Sequence, residues 1–484
     1  MRRPLASALL FTVLVTLAAP AVSAQRTDLS PQPKEVRLSG AAVALGGARV
    51  VVDPGISTAG FSVALDAVED ALREAGRGGA GRTVRLRRAS YDRPQEYRIE
   101  IDAEGAVLSG GPEALVHALS TFEELVDETD GRVPAGTIRD WPDHRLRVLH
   151  FFPLTTRGTV ATVAETREVL ARARRAHFNA VILQVSEVRW DANLARGWRA
   201  GAWSKGDLAQ IVAYARGSGL EVIPQLSFLT HAEGGRPEWQ HSASMYDPAL
   251  LDDARSGMAA YIEEVVREAA AATGARRFHI AMDEPSRDNP LPPEAILRHI
   301  RWMSDLTERL GLEMWMWADL LLDPEDFRGP GVAVEDMNGG ISVNGRRYAN
   351  LLDHIPTRVV LNDWHYWGGH RYPSLDRLAR RHRVLGATWF NVYGSPGQPT
   401  GPSRHVVDRI GSFSAYAHRL RSPRVLGMIA TTWADNFPRY IAGEPWLRDH
   451  TFRRYADYGA EGPDRFYAST ILVSGEKFWN AHAE

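Results

Sequence analysis

From Arg147 to Trp433 the chain alternates short apolar runs with amphipathic ones, and this alternation limits its fold more than any other feature. Eight runs read as strands: 147–153, 179–186, 221–227, 277–284, 313–319, 359–366, 386–394 and 425–433. A helix or long loop follows each. The clearest helix is predicted from Asp253 to Ala272, where Met258, Tyr261, Ile262, Val265, Val266 and Ala269 share a face. Eight such units fit a (β/α)8 TIM barrel, an α/β fold. An open doubly wound sheet is the alternative, but no GxGxxG or P-loop turn follows any of these strands.

The preceding stretch reads differently. All 14 tryptophans lie at or after Trp141, so the first 140 residues lack the flat rings that pack on sugars and other ligands. Val50–Val52 and Thr83–Leu86 are predicted strands. Glu96–Ile101 and Ala106–Ser109 flank a Gly turn and predict a hairpin. Pro112 opens a helix with Leu115, Leu119, Phe122 and Leu125 at helical spacing. Residues 25–141 are therefore expected to form a small α/β (α+β) supporting domain. The barrel is expected over 142–450, and a helical or irregular tail over 451–484.

Residues 1–24 combine a basic start, an apolar middle and Val22-Ser23-Ala24 at the end, the pattern of a secretory signal peptide. The expected destination is the periplasm or the medium, with no stable membrane insertion after cleavage. The chain has no cysteine, which excludes disulfides, thiol nucleophiles and thiolate metal sites. A net charge of −2 gives no nucleic-acid-binding footprint. The histidines pair with acids at no zinc-like spacing, apart from the weak local pair Glu238 and His241, and no cofactor motif occurs. Neither a metal nor a cofactor is expected.

Catalytic groups of a barrel sit at the C-terminal ends of its strands. Asp283 and Glu284 end the fourth run, FHIAMDEP. Glu187 follows the second and His231 the third. Trp317 and Asp319 end the fifth, and Asp363, Trp364 and Tyr366 the sixth. Asn391 and Tyr393 end the seventh, and Trp433 and Asp435 the eighth. Carboxylates and aromatic rings at one mouth suit sugar recognition, and glycoside hydrolysis needs an acid to protonate the leaving oxygen. Asp319 and Asp363 have a second reading, as helix caps or arginine partners. His150 and His279 read as structural barrel histidines. Trp315 is expected in the core, turned to the side opposite the mouth residues around Trp317.

The fourth run resembles the His-Ile-Gly-Gly-Asp-Glu motif of glycoside hydrolase family 20, the β-N-acetylhexosaminidases, at His279, Ile280, Asp283 and Glu284. Ile138, Asp140, Pro142 and Arg147 fall at the family's Ile-x-Asp-x-Pro spacing before a sugar-binding arginine. Phe178-Asn179, Ile223-Pro224 with His231, and Trp433-Ala434-Asp435 are similar to further family segments. The resemblance implies attack by the substrate's own 2-acetamido oxygen, an exception to the two-carboxylate scheme. Glu284 would be the general acid and then the base, and Asp283 would orient the acetamido group. Arg147 would hold ring hydroxyls and Asp435 would accept from O4 or O6. Trp317, Trp364 and Trp433 would wall the sugar, and Tyr393 would bond the acetamido oxygen. The implied partner is an oligosaccharide or glycoconjugate with a terminal β-linked 2-acetamido-2-deoxyhexose.

The sequence also departs from that pattern. Both motif glycines are replaced, by Ala281 and Met282. The family's aspartate after the arginine is Phe152, its His-x-His is Ile182 and Gln184, and its Pro-Glu-Ile-Asp is Pro224-Gln225-Leu226-Ser227. Two other readings stay open. One is an exo-glycosidase that uses Glu284 with Asp319, Asp363 or Asp435 on a sugar without the acetamido group. The other is a secreted carbohydrate-binding protein without turnover.

Overall fold

The computed structural model describes residues 29–154, 159–193, 199–231, 240–242, 245–285, 290–322, 347–366, 371–389, 404–432 and 463–482. The first unit is a mixed sheet of β1 (Glu35–Ala44), β2 (Arg49–Val52), β3 (Thr83–Arg88), β4 (Tyr97–Asp102), β5 (Gly105–Gly110) and β6 (Arg132–Asp140), in the order β1-β6-β4-β5-β3-β2. The expected hairpin is β4 and β5, antiparallel with Ile99 opposite Leu108. Alternation sets the buried face: Tyr97, Ile99 and Ile101 of β4 join Val84, Leu86 and Leu108 beneath the helix Pro112–Glu128.

Eight parallel strands then close a barrel. They are β7 (Leu146–Phe151), β8 (Ala180–Gln184) and β9 (Glu221–Gln225), followed, after a short hairpin of β10 (Gln240–Ser242) and β11 (Met245–Tyr246), by β12 (Arg277–His279), β13 (Glu313–Trp317), β14 (Val360–His365), β15 (Val384–Trp389) and β16 (Val425–Thr432). All eight fall within or beside the expected runs. The predicted helix after β9 spans Met258–Thr273. Capping boxes start two of the outer helices, from Thr162 with Glu165 and from Ser204 with Asp207.

Side-chain alternation divides the barrel into two cores. Val148, Ile182, Ile223, Trp315, Trp317, Val360, Trp364, Leu385 and Ile429 fill the lumen. Leu149, Phe151, Leu183, Met316 and Leu361 face outward and pack under the helices. Trp315 is core, as expected, but it faces the same way as Trp317, one layer lower, because residues two apart share a face of a strand. At the N-terminal ends of the strands, Arg277 bridges Glu221 and Glu313, and Arg383 reaches Glu313 at 2.6 Å.

Buried polar contacts join the two units. Glu123, on the helix Pro112–Glu128, pairs with Arg174 at 2.6 Å and with Arg175, both on the helix Val163–Arg175. Burial opposes its charge, but the two arginines prevail and hold the carboxyl down at about 2. Asp140 accepts from the Tyr97 hydroxyl at 2.9 Å and from the Trp479 indole N–H at 2.8 Å. Trp479 ends the helix Pro463–Trp479, which packs on the barrel helices Arg404–Arg419 and Val163–Arg175, yet its ring lies in the core of the first unit. Among the described residues no helix is long and apolar enough to cross a membrane.

Candidate active site

Beyond His279 the chain keeps bonding to its neighbours. Ile280 donates its N–H to Trp315 O at 2.9 Å, and Ala281 O accepts from Trp317 N–H at 2.9 Å. The backbone then turns sharply. Ala281, Met282 and Glu284 take φ values of +59°, +78° and +48°, and His231 across the mouth takes +47°. Non-glycine residues rarely adopt this left-handed conformation, and its cost is of order 1 kcal/mol each. The two positions that resemble motif glycines thus keep a glycine-like backbone without glycine.

The turn gives the adjacent acids different surroundings. The Asp283 side chain is 13% exposed and that of Glu284 is 45% exposed. Burial pushes the Asp283 carboxyl up from its usual range, and the charge of His231 offsets part of that rise. Nε2 of His231 faces both acids, 3.7 Å from Asp283 Oδ2 and 3.8 Å from Glu284 Oε2. One carboxyl is thus set back in the protein and the other is open to a ligand, with a shared histidine between them.

Asp319, just past β13, lies behind the pair. It is fully buried, not at the surface of the mouth. Its Oδ2 accepts the Glu284 backbone N–H at 3.0 Å, and its Oδ1 accepts the Trp364 indole N–H at 3.3 Å. Burial first, then the neighbouring Asp283 charge, pushes its carboxyl up to about 8, against the pull of these two donors. Both oxygens serve the protein, so the expected contact with substrate is corrected to an internal one.

Two other candidates are corrected by strand alternation. Asp363 shares the outward face of β14 with Leu361 and His365. Its Oδ2 accepts from Ser374 Oγ at 2.6 Å and lies 3.2 Å from His365 Nε2, beneath the helix Pro373–Ala379. It is fully buried there, away from the lumen. Arg147 is the second residue of β7, at the end opposite the mouth, and points outward. Its guanidinium donates to His177 O and His144 O, both at 2.7 Å, and to Gln95 Oε1 at 2.9 Å. It also lies 2.9 Å from His117 Nε2 and 4.7 Å from the centre of the Trp479 ring. Burial lowers its pKa to about 9. It joins the two units and cannot reach a sugar in the mouth.

Trp317 and Trp364 do face the lumen. Trp317 is fully buried against His279 and His150, with ring centres 4.8 and 5.8 Å away. Trp364 is slightly exposed and stacks on Tyr366 at 4.6 Å, and Tyr366 meets Trp389 at 5.2 Å. Trp317 therefore belongs to the floor and the Trp364–Tyr366–Trp389 group to a wall. Tyr393, Trp433 and Asp435 lie outside the described residues.

Sequence reading took His150 and His279 as structural barrel histidines, which they are, but missed the amides that share their layer below the acids. Gln184 and Gln225 are aligned on neighbouring strands, and Gln225 is aligned with His279. Burial lowers the His150 pKa to about 3, and Gln225 offsets part of that fall. His279 Nδ1 accepts the Ala281 N–H at 3.0 Å, so Nε2 carries the ring proton. Asn362, 2.9 Å away, must meet it with its amide oxygen. The layer is made of amides and neutral imidazoles. Its signal was available: Ile182 and Gln184, like Ile223 and Gln225, are two apart and must share the lumen face. Among the described residues no group of three or more His, Asp or Glu side chains is placed to hold a metal.

Residues 26–141 match the family model described as glycosyl hydrolase family 20, domain 2. No curated protein matches the chain in sequence. Solved structures share its fold. A β-N-acetylhexosaminidase from Bacteroides fragilis superposes with a TM-score of 0.66 at 15% identity, over 94% of this chain and 92% of the other. The family 20 β-N-acetylhexosaminidase of Streptomyces coelicolor gives 0.64 at 18% identity, over 95% and 97%. A mutant Streptomyces plicatus β-hexosaminidase in complex with its product GlcNAc gives 0.62 at 19% identity, over 94% and 96%.

Proposed function

We propose that this chain, a relative of glycoside hydrolase family 20, is an exported glycoside hydrolase that releases terminal β-linked 2-acetamido-2-deoxyhexose with retention, through an oxazolinium intermediate. The observation that carries this reading is the contrast between the two adjacent acids. A carboxyl half open to the mouth suits proton delivery to a leaving oxygen, which is the role of Glu284. A carboxyl set back in the protein suits a fixed contact with the acetamido N–H and with the positive charge that develops as its oxygen attacks C1, which is the role of Asp283. After the aglycone leaves, Glu284 takes a proton from water, and that water opens the intermediate. Trp364, Tyr366 stacked on it and Trp389 tilted against Tyr366 offer rings for the apolar faces of the sugar.

The two-carboxylate alternative is less well supported. Asp319 is internal and Asp363 faces outward, which leaves Asp435, outside the described residues, as its second acid. Export rests on the signal-like residues 1–24, also outside the described residues.

The test is hydrolysis of aryl β-glycosides: 2-acetamido-gluco, 2-acetamido-galacto, gluco and galacto. Wild type is run beside Glu284→Gln and Asp283→Asn. The reading expects turnover of acetamido sugars alone and a loss of about 10²–10⁴ in each variant. The Glu284→Gln loss should be smallest for the aryl group that leaves most readily without a proton. Equal turnover of the plain sugars would remove the substrate-assisted mechanism. Binding of GlcNAc with no turnover of any substrate would leave a binding protein.

A further inference from the structure

Asp319 occupies a junction that the proposed chemistry does not itself require. One carboxyl group takes two N–H donors from two different strand tips, the Glu284 backbone beyond β12 and the Trp364 indole on β14. Neither donor is an ordinary barrel contact. The first belongs to a residue held at φ +48°, a conformation that persists only where its surroundings enforce it. The second belongs to a ring that stacks on Tyr366 in the wall of the mouth.

We propose that Asp319 is a positioning residue: by accepting from Glu284 and Trp364 together, it fixes the acid-bearing turn against the ring that receives the sugar. The inference rests on the hydrolase reading above and assigns Asp319 no contact with substrate. Its consequence is geometric. A sugar stacked on Trp364 meets Glu284 at a set distance because both hang from one carboxyl group. A displacement of about 1 Å in such a pair costs about 10²-fold in rate.

The test is a double-mutant cycle in the full chain, with Asp319→Asn, Trp364→Phe and the pair. Protonated or not, the carboxyl keeps an acceptor oxygen towards each N–H, whereas asparagine puts an NH2 group that cannot accept in place of one of them, so one of the two bonds is lost. Phenylalanine keeps a ring and removes only the indole donor. Asp319→Asn is expected to lower kcat at least tenfold while KM stays within threefold. Trp364→Phe is expected to raise KM. The double variant should lose less than the product of the two losses, because either substitution alone already breaks the link between Glu284 and Trp364. Wild-type kcat in Asp319→Asn, a loss confined to KM, or strictly multiplicative losses would overturn the proposal. If wild type turns over no acetamido sugar, the functional reading fails by itself, and the clamp is judged by thermal unfolding of the same four proteins. Less-than-additive losses of Tm keep it, and additive losses remove it.

Discussion

Nε2 of His231 stands 3.7 Å from Oδ2 of Asp283, near enough for charge attraction and too far for a hydrogen bond. The attraction favours the ionised carboxylate and works against burial, which raises the Asp283 pKa. His231→Gln removes the attraction, so the Asp283 pKa should rise further. The reading above needs that carboxylate ionised. The acidic limb of kcat/KM against pH should therefore move to higher pH. An unmoved limb would mean that His231 serves Glu284 alone.

The turn before the acids carries strain that glycine would relieve. Ala281→Gly should recover about 1 kcal/mol of backbone cost, against about 0.8 kcal/mol for one buried methyl. Its chemical-denaturation stability should lie within about 0.5 kcal/mol of wild type. Ala281→Val places a β-branched residue at φ +59° in a filled lumen and should cost at least about 2 kcal/mol. Equal effects of the two substitutions would show that the turn is not held in the left-handed conformation.

Arg147 is assigned to the joint between the units, and this separates cleanly from a sugar contact. Arg147→Ala leaves the carbonyls of His177 and His144 and the side chain of Gln95 without their donor, and opens a cavity beside Trp479. The expected cost is about 3 kcal/mol or more of unfolding free energy. KM of the protein that remains folded should be unchanged. A variant of normal stability with a raised KM would return Arg147 to the substrate.

The raised Asp319 pKa makes a prediction about stability. The folded protein holds the proton up to about 8, whereas an unfolded aspartate loses it near pH 4. Between these values the folded state binds more protons, so this group's contribution to stability falls as pH rises. Asparagine cannot ionise, and Asp319→Asn should be free of this fall. The difference in urea stability, variant minus wild type, should grow in the variant's favour by about 2–3 kcal/mol between pH 5 and 7.5. A constant difference would show that Asp319 is ionised across that range.

The barrel was legible because eight apolar runs alternate with helices or long loops and no nucleotide-binding turn follows any of them. The edge of the first sheet was not legible. β1 is rich in small residues, SGAAVA, and β6 contains Pro134 and Gly136, residues that argue against strands. Pairing with neighbours, and not propensity, makes them strands. At the mouth, position in the sequence located Asp283, Glu284 and His231. It failed for Asp363 and Arg147 because being near a strand tip, or near a family motif, does not fix the face. Counting in twos from Trp364 or Val148 would have turned both outward. Asp319 could not be read this way, since its burial follows from the turn after β13.

The place of Trp479 bears on how the protein is made. Its ring completes the core of the first unit, its indole N–H reaches Asp140, and its carbonyl accepts from Lys34. A ribosome delivers the first 140 residues long before residue 479, at about 5–20 residues per second. Until residue 479 is available, the first unit has an open seam in its core and Asp140 lacks one of its donors. That seam can be sealed only once the helix Pro463–Trp479 is present. The earliest part of the chain to be synthesised is thus among the last to reach its finished state.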